Sequence, residues 1–365
     1  MEGLYPLRFR EILRNYGFGG RWIAEAFAKE GLSDDHRLAE TWEAVDRPGE
    51  SSIVRNGPLA GHTLHQLIEG YGQALLGSEI VARFGARFPL LIKFLDATHP
   101  LGEQIHPDDE QARSMGSFDT GKTEAWYMLG VRAGATIHAG PRAGLTREEL
   151  VEALLRRESR ACMREYEPQP GEAFLLYAGT MHYSRGGMLF CEIMQNSDIT
   201  IGLNHFMDRA EPGRERERAQ ELSDMIHIEE DFDCRTRQVV LAEGRNRRTY
   251  VLACRHFAME RLDLAEPEDV LLEGRRFVVL AAIEGACRVA GGAGAEVLRP
   301  GQTCLLPASL GAVSLEPKRI ASLLSMYVPD LKLDIIEPLR AQGVSADEIL
   351  GLGGQTALND LRPLL

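Results

Sequence analysis

The chain reads as a mainly β protein: two copies of one strand-rich domain, a helical insertion in the first copy, and a helical tail. Three observations predict this. Residues 236 to 328 are almost wholly strand-like, with short apolar or alternating runs between glycines and prolines. Two blocks recur in the same order. Gly134-Ala-Thr-Ile-His138-Ala-Gly140 resembles Gly285-Ala-Cys-Arg-Val289-Ala-Gly291, and Gly171 to Gly179 resembles Gly301 to Ser309. Finally, the first pair of blocks lies further apart than the second by about the length of a helix signal at Leu145 to Arg160.

Taken in order, Leu64 to Leu76 predicts a helix from Leu64, Leu67, Ile68, Tyr71 and Leu75 at three- and four-residue spacing. Pro89 to Leu95 is too short an apolar run for a helix and predicts a buried strand. Gly121 to Gly140 predicts strand, turn, strand, broken at Gly130 and Gly134. In the insertion, Thr146 caps and Glu149 stands three residues later, ahead of the Leu150, Val151, Leu154 stripe. Strands follow at Ala173 to Tyr177 and Leu189 to Gln195. Ala210 to Met225 is a charged helical stretch, and Ser345 caps a helix over Ala346 to Leu350 in the tail.

The 365 residues suffice for two or three domains. A hydrophobic share of 44% and a charged share of 26% are those of a soluble globular protein. A net charge of -13 argues against nucleic acid or an anionic membrane as partner, since both repel such a surface. A small anionic substrate answers to local charge and stays open. The six cysteines are widely spaced, with no C-x-x-C pair, which predicts thiols in a reducing compartment. Met1-Glu2-Gly3 begins no charged-then-apolar leader, and no apolar run nears the roughly eighteen residues of a membrane span. A cytoplasmic protein is expected.

The second block resembles the glycine, proline, glycine, histidine motif of the cupin superfamily, small β-barrels of jelly-roll type. The first copy reads Gly171, Tyr177, Gly179, His182; the second reads Gly301, Pro307, Ser309, Ala312 and so lacks the histidine. If His182 holds a metal, its partners come from neighbouring strands. Residues two apart on a strand face one way, so Gln104 and His106 can reach one ion, and Lys122 lies beside Glu124. The position matching Glu124 in the second copy reads as Arg275. Two imidazoles and two oxygens suit zinc first, and also Mn, Fe or Co. The absence of cysteine points to an open, catalytic site. The expected division is 1–235, an N-terminal segment with the metal-binding barrel; 236–330, a degenerate second barrel without metal; and 331–365, the tail.

Five ordered stretches carry a family resemblance: Pro89-Leu-Leu-Ile-Lys-Phe-Leu-Asp-Ala97, Gln104-Ile-His-Pro-Asp-Asp109, Gly121-Lys-Thr-Glu-Ala-Trp-Tyr127, Ala178-Gly-Thr-Met-His182 and Glu192-Ile-Met-Gln-Asn-Ser-Asp198. They resemble class I mannose-6-phosphate isomerases of the short bacterial form, as does Asn56-Gly-Pro-Leu-Ala-Gly61, over roughly residues 1 to 328. The resemblance implies one zinc held by Gln104, His106, Glu124 and His182, and a sugar or sugar phosphate as partner. Two positions depart from the family. Gly102 stands where a serine is usual, and Ile201 or Gly202 where an arginine is usual; both family residues handle the sugar phosphate. An arginine fork bonds phosphate in two places, which neither replacement can do. Lys93, Arg21, Arg185 and Arg209 could compensate, though composition alone makes each a solvated surface residue.

Aldose–ketose isomerisation moves a proton between adjacent carbons through an enediol. It needs a base and positive charge near the enediolate oxygens. Lys122 is the first choice for proton transfer or substrate orientation, followed by Asp109, with His99 and Glu103 behind. Trp126, Tyr127 and His138 read as packing residues, and His205 as a pocket candidate. Three functions fit: a phosphosugar isomerase with a rebuilt clamp, an isomerase of a neutral sugar, and a non-catalytic metal- or sugar-binding cupin. Retention of the four ligands with Lys122 favours an isomerase.

Overall fold

The computed structural model describes all residues except 1, 2, 28, 30, 31, 33–36, 118, 229 and 230. Met1 and Glu2, on which the leader reading rests, thus lie outside it. The fold is mainly β. In the first half a six-stranded antiparallel sheet runs Ala173–Leu176, Glu124–Val131, Met188–Gln195, Leu90–Ala97, Glu40–Ala44, Ile12–Arg14. A five-stranded sheet runs Met163–Tyr166, Ile137–Pro141, His182–Ser184, Leu101–Ile105, Ile201–Gly202. Leu95, Trp126, Met128, Ile137, Phe174 and Phe190 form one buried cluster drawn from both sheets.

The second half repeats the six-stranded order. Thr303–Leu306, Val278–Gly291, Gly311–Tyr327, Ala258–Leu264, Asn246–Ala253 and Val239–Glu243 follow one another, again antiparallel. Val278–Gly291 and Gly311–Tyr327 are long enough to bend, with register shifts at Ala282/Glu284 and Gly285/Cys287, and Gly294–Leu298 and Glu268–Leu272 join them. Among the described residues no strand pairing closes either half into a barrel. The mainly β class stands, while the closure expected of two barrels is not found among the described residues. The reason is that side-chain packing, not a continuous hydrogen-bond ladder, holds the first half's layers together.

Register also corrects the repeat. Glu124 pairs with Leu176, and Val278 pairs with Leu306 in the matching block. The counterpart of Glu124 is therefore Val278, not Arg275. A separate turn follows Val131 in the first half, whereas the second half's strand runs through its bend, so the offset between copies changes there. The strand through Gly130 likewise continues to Val131 instead of breaking.

Helices follow their local signals. Thr63 and Gln66 form a capping box for Leu64–Tyr71, but Gly72, at φ +48°, splits the expected helix before Gln73–Leu76. Thr146 and Glu149 box Arg147–Arg156, which ends at left-handed Arg157. Ser345 and Glu348 box Ala346–Gly351. The charged stretch yields Glu215–Asp224. A core including Phe88, Phe94, Tyr127, Phe257, Phe277 and Met326 joins the halves, with the Phe88 and Phe277 rings 4.9 Å apart.

Candidate metal centre

His182 opens its strand directly opposite Gln104, and Gln104 lies opposite Gly202 on its other side. His106 follows the end of the Leu101–Ile105 strand, and Glu124 begins a strand of the facing sheet. The two sheets thereby bring His106, Glu124 and His182 together, with their donor atoms all within 4.8 Å of one another. His106 Nε2 is 3.3 Å from Glu124 Oε2, and His182 Nε2 is 3.3 Å from Glu124 Oε1. All three are buried.

Main-chain carbonyls set the imidazoles. His106 Nδ1 lies 2.8 Å from Ile199 O, and His182 Nδ1 lies 2.9 Å from Thr180 O. A carbonyl only accepts, so each Nδ1 carries the proton and each Nε2 turns a lone pair inward. Burial, with the Lys122 charge second, pushes His106 down to about 3; burial also lowers His182. Both imidazoles are neutral near pH 7. Burial pushes the Glu124 carboxyl up, but the charge beside it, Lys122's first, holds it well below the usual carboxylate range, so it stays ionised. Lys122 Nζ is 3.1 Å from Glu124 Oε2.

These residues fit a divalent ion. His106 Nε2 and both Glu124 oxygens are fully buried yet have no hydrogen-bond partner among the described residues, their ion-pair contacts lacking that geometry. Such orphans cost free energy unless something else meets them. Gln104 Nε2 lies 2.9 Å from His182 Nε2. Turning that amide over would bring its oxygen to the same place.

Lys122 is held by its loop. Its N–H donates to Pro107 O at 2.9 Å, and Asp109 Oδ1 accepts from Gly121 N at 2.7 Å and Gln195 Nε2 at 3.2 Å. Asp109 is exposed and braces this loop. A Cβ on Gly121 would come within 2.5 Å of Asp108 backbone, so this close approach requires glycine.

Lys93 corrects the surface expectation. It is 4% exposed, 3.3 Å from both Glu40 Oε2 and Glu192 Oε2, with Nζ 5.2 Å from the Trp42 ring. Glu192 lies directly opposite Lys93 and also accepts from Trp126 Nε1 at 2.9 Å. Trp126 meets His182 edge-on, with ring centroids 5.7 Å apart. Sequence patterning passed over this Lys93 cluster, whose carboxylates come from strands distant in the chain. Arg21, Arg185 and Arg209 are exposed, as are His99 and His205. Glu103 is taken up by Ser159 and Arg160, and His138 by Glu165 at 3.1 Å.

The catalytic-domain family described as phosphomannose isomerase type I matches residues 7–125, and the mannose-6-phosphate isomerase cupin domain matches residues 246–321. The mannose-6-phosphate isomerase ManA of Bacillus subtilis (strain 168) is 31% identical over 318 residues, covering 85% of this chain and 96% of that protein. The mannose-6-phosphate isomerase of Streptococcus mutans is 29% identical, covering 63% and 68%. Among solved structures, the mannose 6-phosphate isomerase from Bacillus subtilis superposes with a TM-score of 0.74 at 23% identity, covering 88% and 99%. A variant of phosphomannose isomerase from Salmonella typhimurium gives 0.72 at 18%, covering 89% and 100%. The two family matches, on either side of the His–Glu–His cluster's second histidine, and the near-complete span of the Bacillus relative establish that the chain belongs to the type I phosphomannose isomerase family.

Proposed function

We propose that this chain interconverts mannose 6-phosphate and fructose 6-phosphate through an enediol, using one divalent ion, zinc first, held by Gln104, His106, Glu124 and His182. The observation that carries this is the buried His–Glu–His set with inward lone pairs and a lysine beside it. An ion there supplies positive charge that polarises the sugar oxygens. The chain's own residues do the rest. Neutral His106 and His182 leave Glu124 as the set's one negative charge, so the centre stays net positive. We assign Lys122 Nζ to orient a sugar hydroxyl and to hold or move the proton passed between C1 and C2. Asp109 contributes by fixing the Lys122 loop, and buried Trp126 packs edge-on against His182.

We assign residues 1–235 to a metal-binding cupin of jelly-roll type with Arg147–Arg156 as its insertion, 236–330 to a metal-free second cupin, and 331–365 to a tail. The shared strand order supports this division. A cytoplasmic enzyme accords with six unpaired, buried cysteines, and no helix among the described residues is long and apolar enough to cross a membrane. A neutral sugar is the second reading. It is favoured by Gly202, which lies opposite Gln104 and puts no side chain over the centre. A metal-replete isomerisation assay with mannose 6-phosphate, fructose 6-phosphate and the free sugars separates the two. Turnover of none of them would reduce the chain to a metal- or sugar-binding cupin.

A further inference from the structure

The shared register lets the first half's polar pocket be traced residue by residue into the second half. Trp126 pairs with Glu192 as Leu280 pairs with Ser325, so Ser325 takes the place of Glu192. Glu192 pairs with Lys93 as Ser325 pairs with Glu260, so Glu260 takes the place of Lys93. Glu40 lies opposite Leu95 as Arg248 lies opposite Leu262, so Arg248 takes the place of Glu40. Two residues before Val278, Arg276 stands where Lys122 stands before Glu124. An ion pair stands in the same place with its charges exchanged: half-buried Arg248 and buried Glu260, at 2.7 Å, take the positions of Glu40 and Lys93. The metal set is not repeated: Val278 stands in the place of Glu124, and pairing puts Ser314 opposite Ala290 as His182 lies opposite Ala139.

These residues line a cavity of about 320 Å³, closed on one side by Asp334 of the tail. That is large enough for a hexose-sized molecule. Arg276 Nη1 meets Asp334 at 2.7 Å, but its buried Nε has no partner among the described residues. Ser325, on a residue 7% exposed, adds a hydroxyl side chain to the lining. Charge selects the ligand class. Arg248, Arg275 and Arg276 stand against Glu260, Asp269, Glu273 and Asp334, so an anion meets four carboxylates and a metal ion meets three guanidiniums. A hydroxyl both donates and accepts, and suits such a mixed, nearly balanced lining. We infer that the second half holds a binding pocket for a neutral polyol of hexose size, distinct from the metal centre.

The test does not depend on the isomerase reading, because it uses the full chain stripped of metal with chelator. Free mannose is the probe, titrated calorimetrically and followed in parallel by tryptophan fluorescence. The three tryptophans are Trp22, Trp42 and Trp126, all in the first half and none lining the proposed cavity, so they do not report it directly. The expected result is heat of binding without a fluorescence change, weakened about tenfold by Ser325→Leu. Arg276→Lys is the second variant, removing the Nε donor with the charge retained, and a melting curve checks that each folds. Heat that survives both variants unchanged, no heat at all, or inorganic phosphate binding more tightly than mannose would each overturn the inference. In the first two cases Arg248 and Glu260 are a structural ion pair only.

Discussion

Replacing Lys93 by methionine removes an ammonium that lies 3.3 Å from two buried carboxylates, Glu40 and Glu192. At an effective dielectric of about 20, each contact is worth about 5 kcal/mol before solvation. Burial of the three charges offsets much of that. What the substitution exposes is the cost of uncompensated buried charge, about 3 to 5 kcal/mol. The loss depends on pH. Burial, opposed by Lys93, raises the Glu192 carboxyl from 4.5 to about 7, and without Lys93 it rises further. A carboxyl whose folded-state value exceeds its unfolded-state value binds more protons when folded, so stability falls as pH rises between the two. The deficit is therefore smaller at about pH 5, where Glu192 holds its proton with or without Lys93, than at about pH 8, where only wild type has an ammonium to meet the ionised carboxylate. Urea unfolding of wild type and variant at both pH values measures it. Lys93→Met with Glu192→Gln should recover much of the loss, because one orphaned charge goes with it. A single variant within about 1 kcal/mol of wild type at both pH values refutes the buried-pair account.

The purified protein should carry about one divalent ion per chain, and elemental analysis of His182→Ala should show it lost; an unchanged content sinks the ligand assignment. Gly121→Val should lower kcat with folding intact, because its Cβ meets Asp108 backbone and displaces the Lys122 loop; full activity with an unmoved melting temperature would remove Lys122 from the proposed role. Chelation should leave circular dichroism nearly unchanged, since carbonyls of Thr180 and Ile199 already orient the histidines; loss of the β signal would show instead that the ion holds the sheets together. If Gly202 leaves the phosphate unclamped, kcat/KM for mannose 6-phosphate over mannose should be below about tenfold. Gly202→Arg, whose Cβ would sit 3.6 Å from His205 Cβ, has room and should raise that ratio by about thirtyfold to a hundredfold. A wild-type preference well above tenfold would mean another basic group already holds the phosphate.

What the sequence made legible is what its physics keeps local. Thr146 and Ser345 each stand three residues before a glutamate, and a capping box is local, so those two helix starts were read, whereas Asp108, three before Gln111, caps Asp109–Ser114 in the same way and was not. Lys122 does lie beside Glu124 as expected, but it is a loop, not strand spacing, that puts it there, since the strand begins only at Glu124. Lys93 was not legible, because an ammonium is tolerated inside only where carboxylates meet it. Those carboxylates come from Glu40 and Glu192, on strands that neighbour Lys93 in the sheet but not in the chain. The counterpart of Glu124 failed for a related reason. An offset counted along the sequence survives only while both copies have turns of equal length, whereas hydrogen-bond pairing fixes equivalence across strands. Once pairing replaces counting, Glu260 and Arg248 stop looking like an unrelated ion pair. They occupy the places of Lys93 and Glu40 with opposite sign. An ion pair can exchange its partners' identities without leaving either charge uncompensated, whereas a carboxylate ligand replaced by valine, as Glu124 is by Val278, has no donor atom at all. The second half accordingly keeps a charged lining where the first half has its histidine and glutamate set.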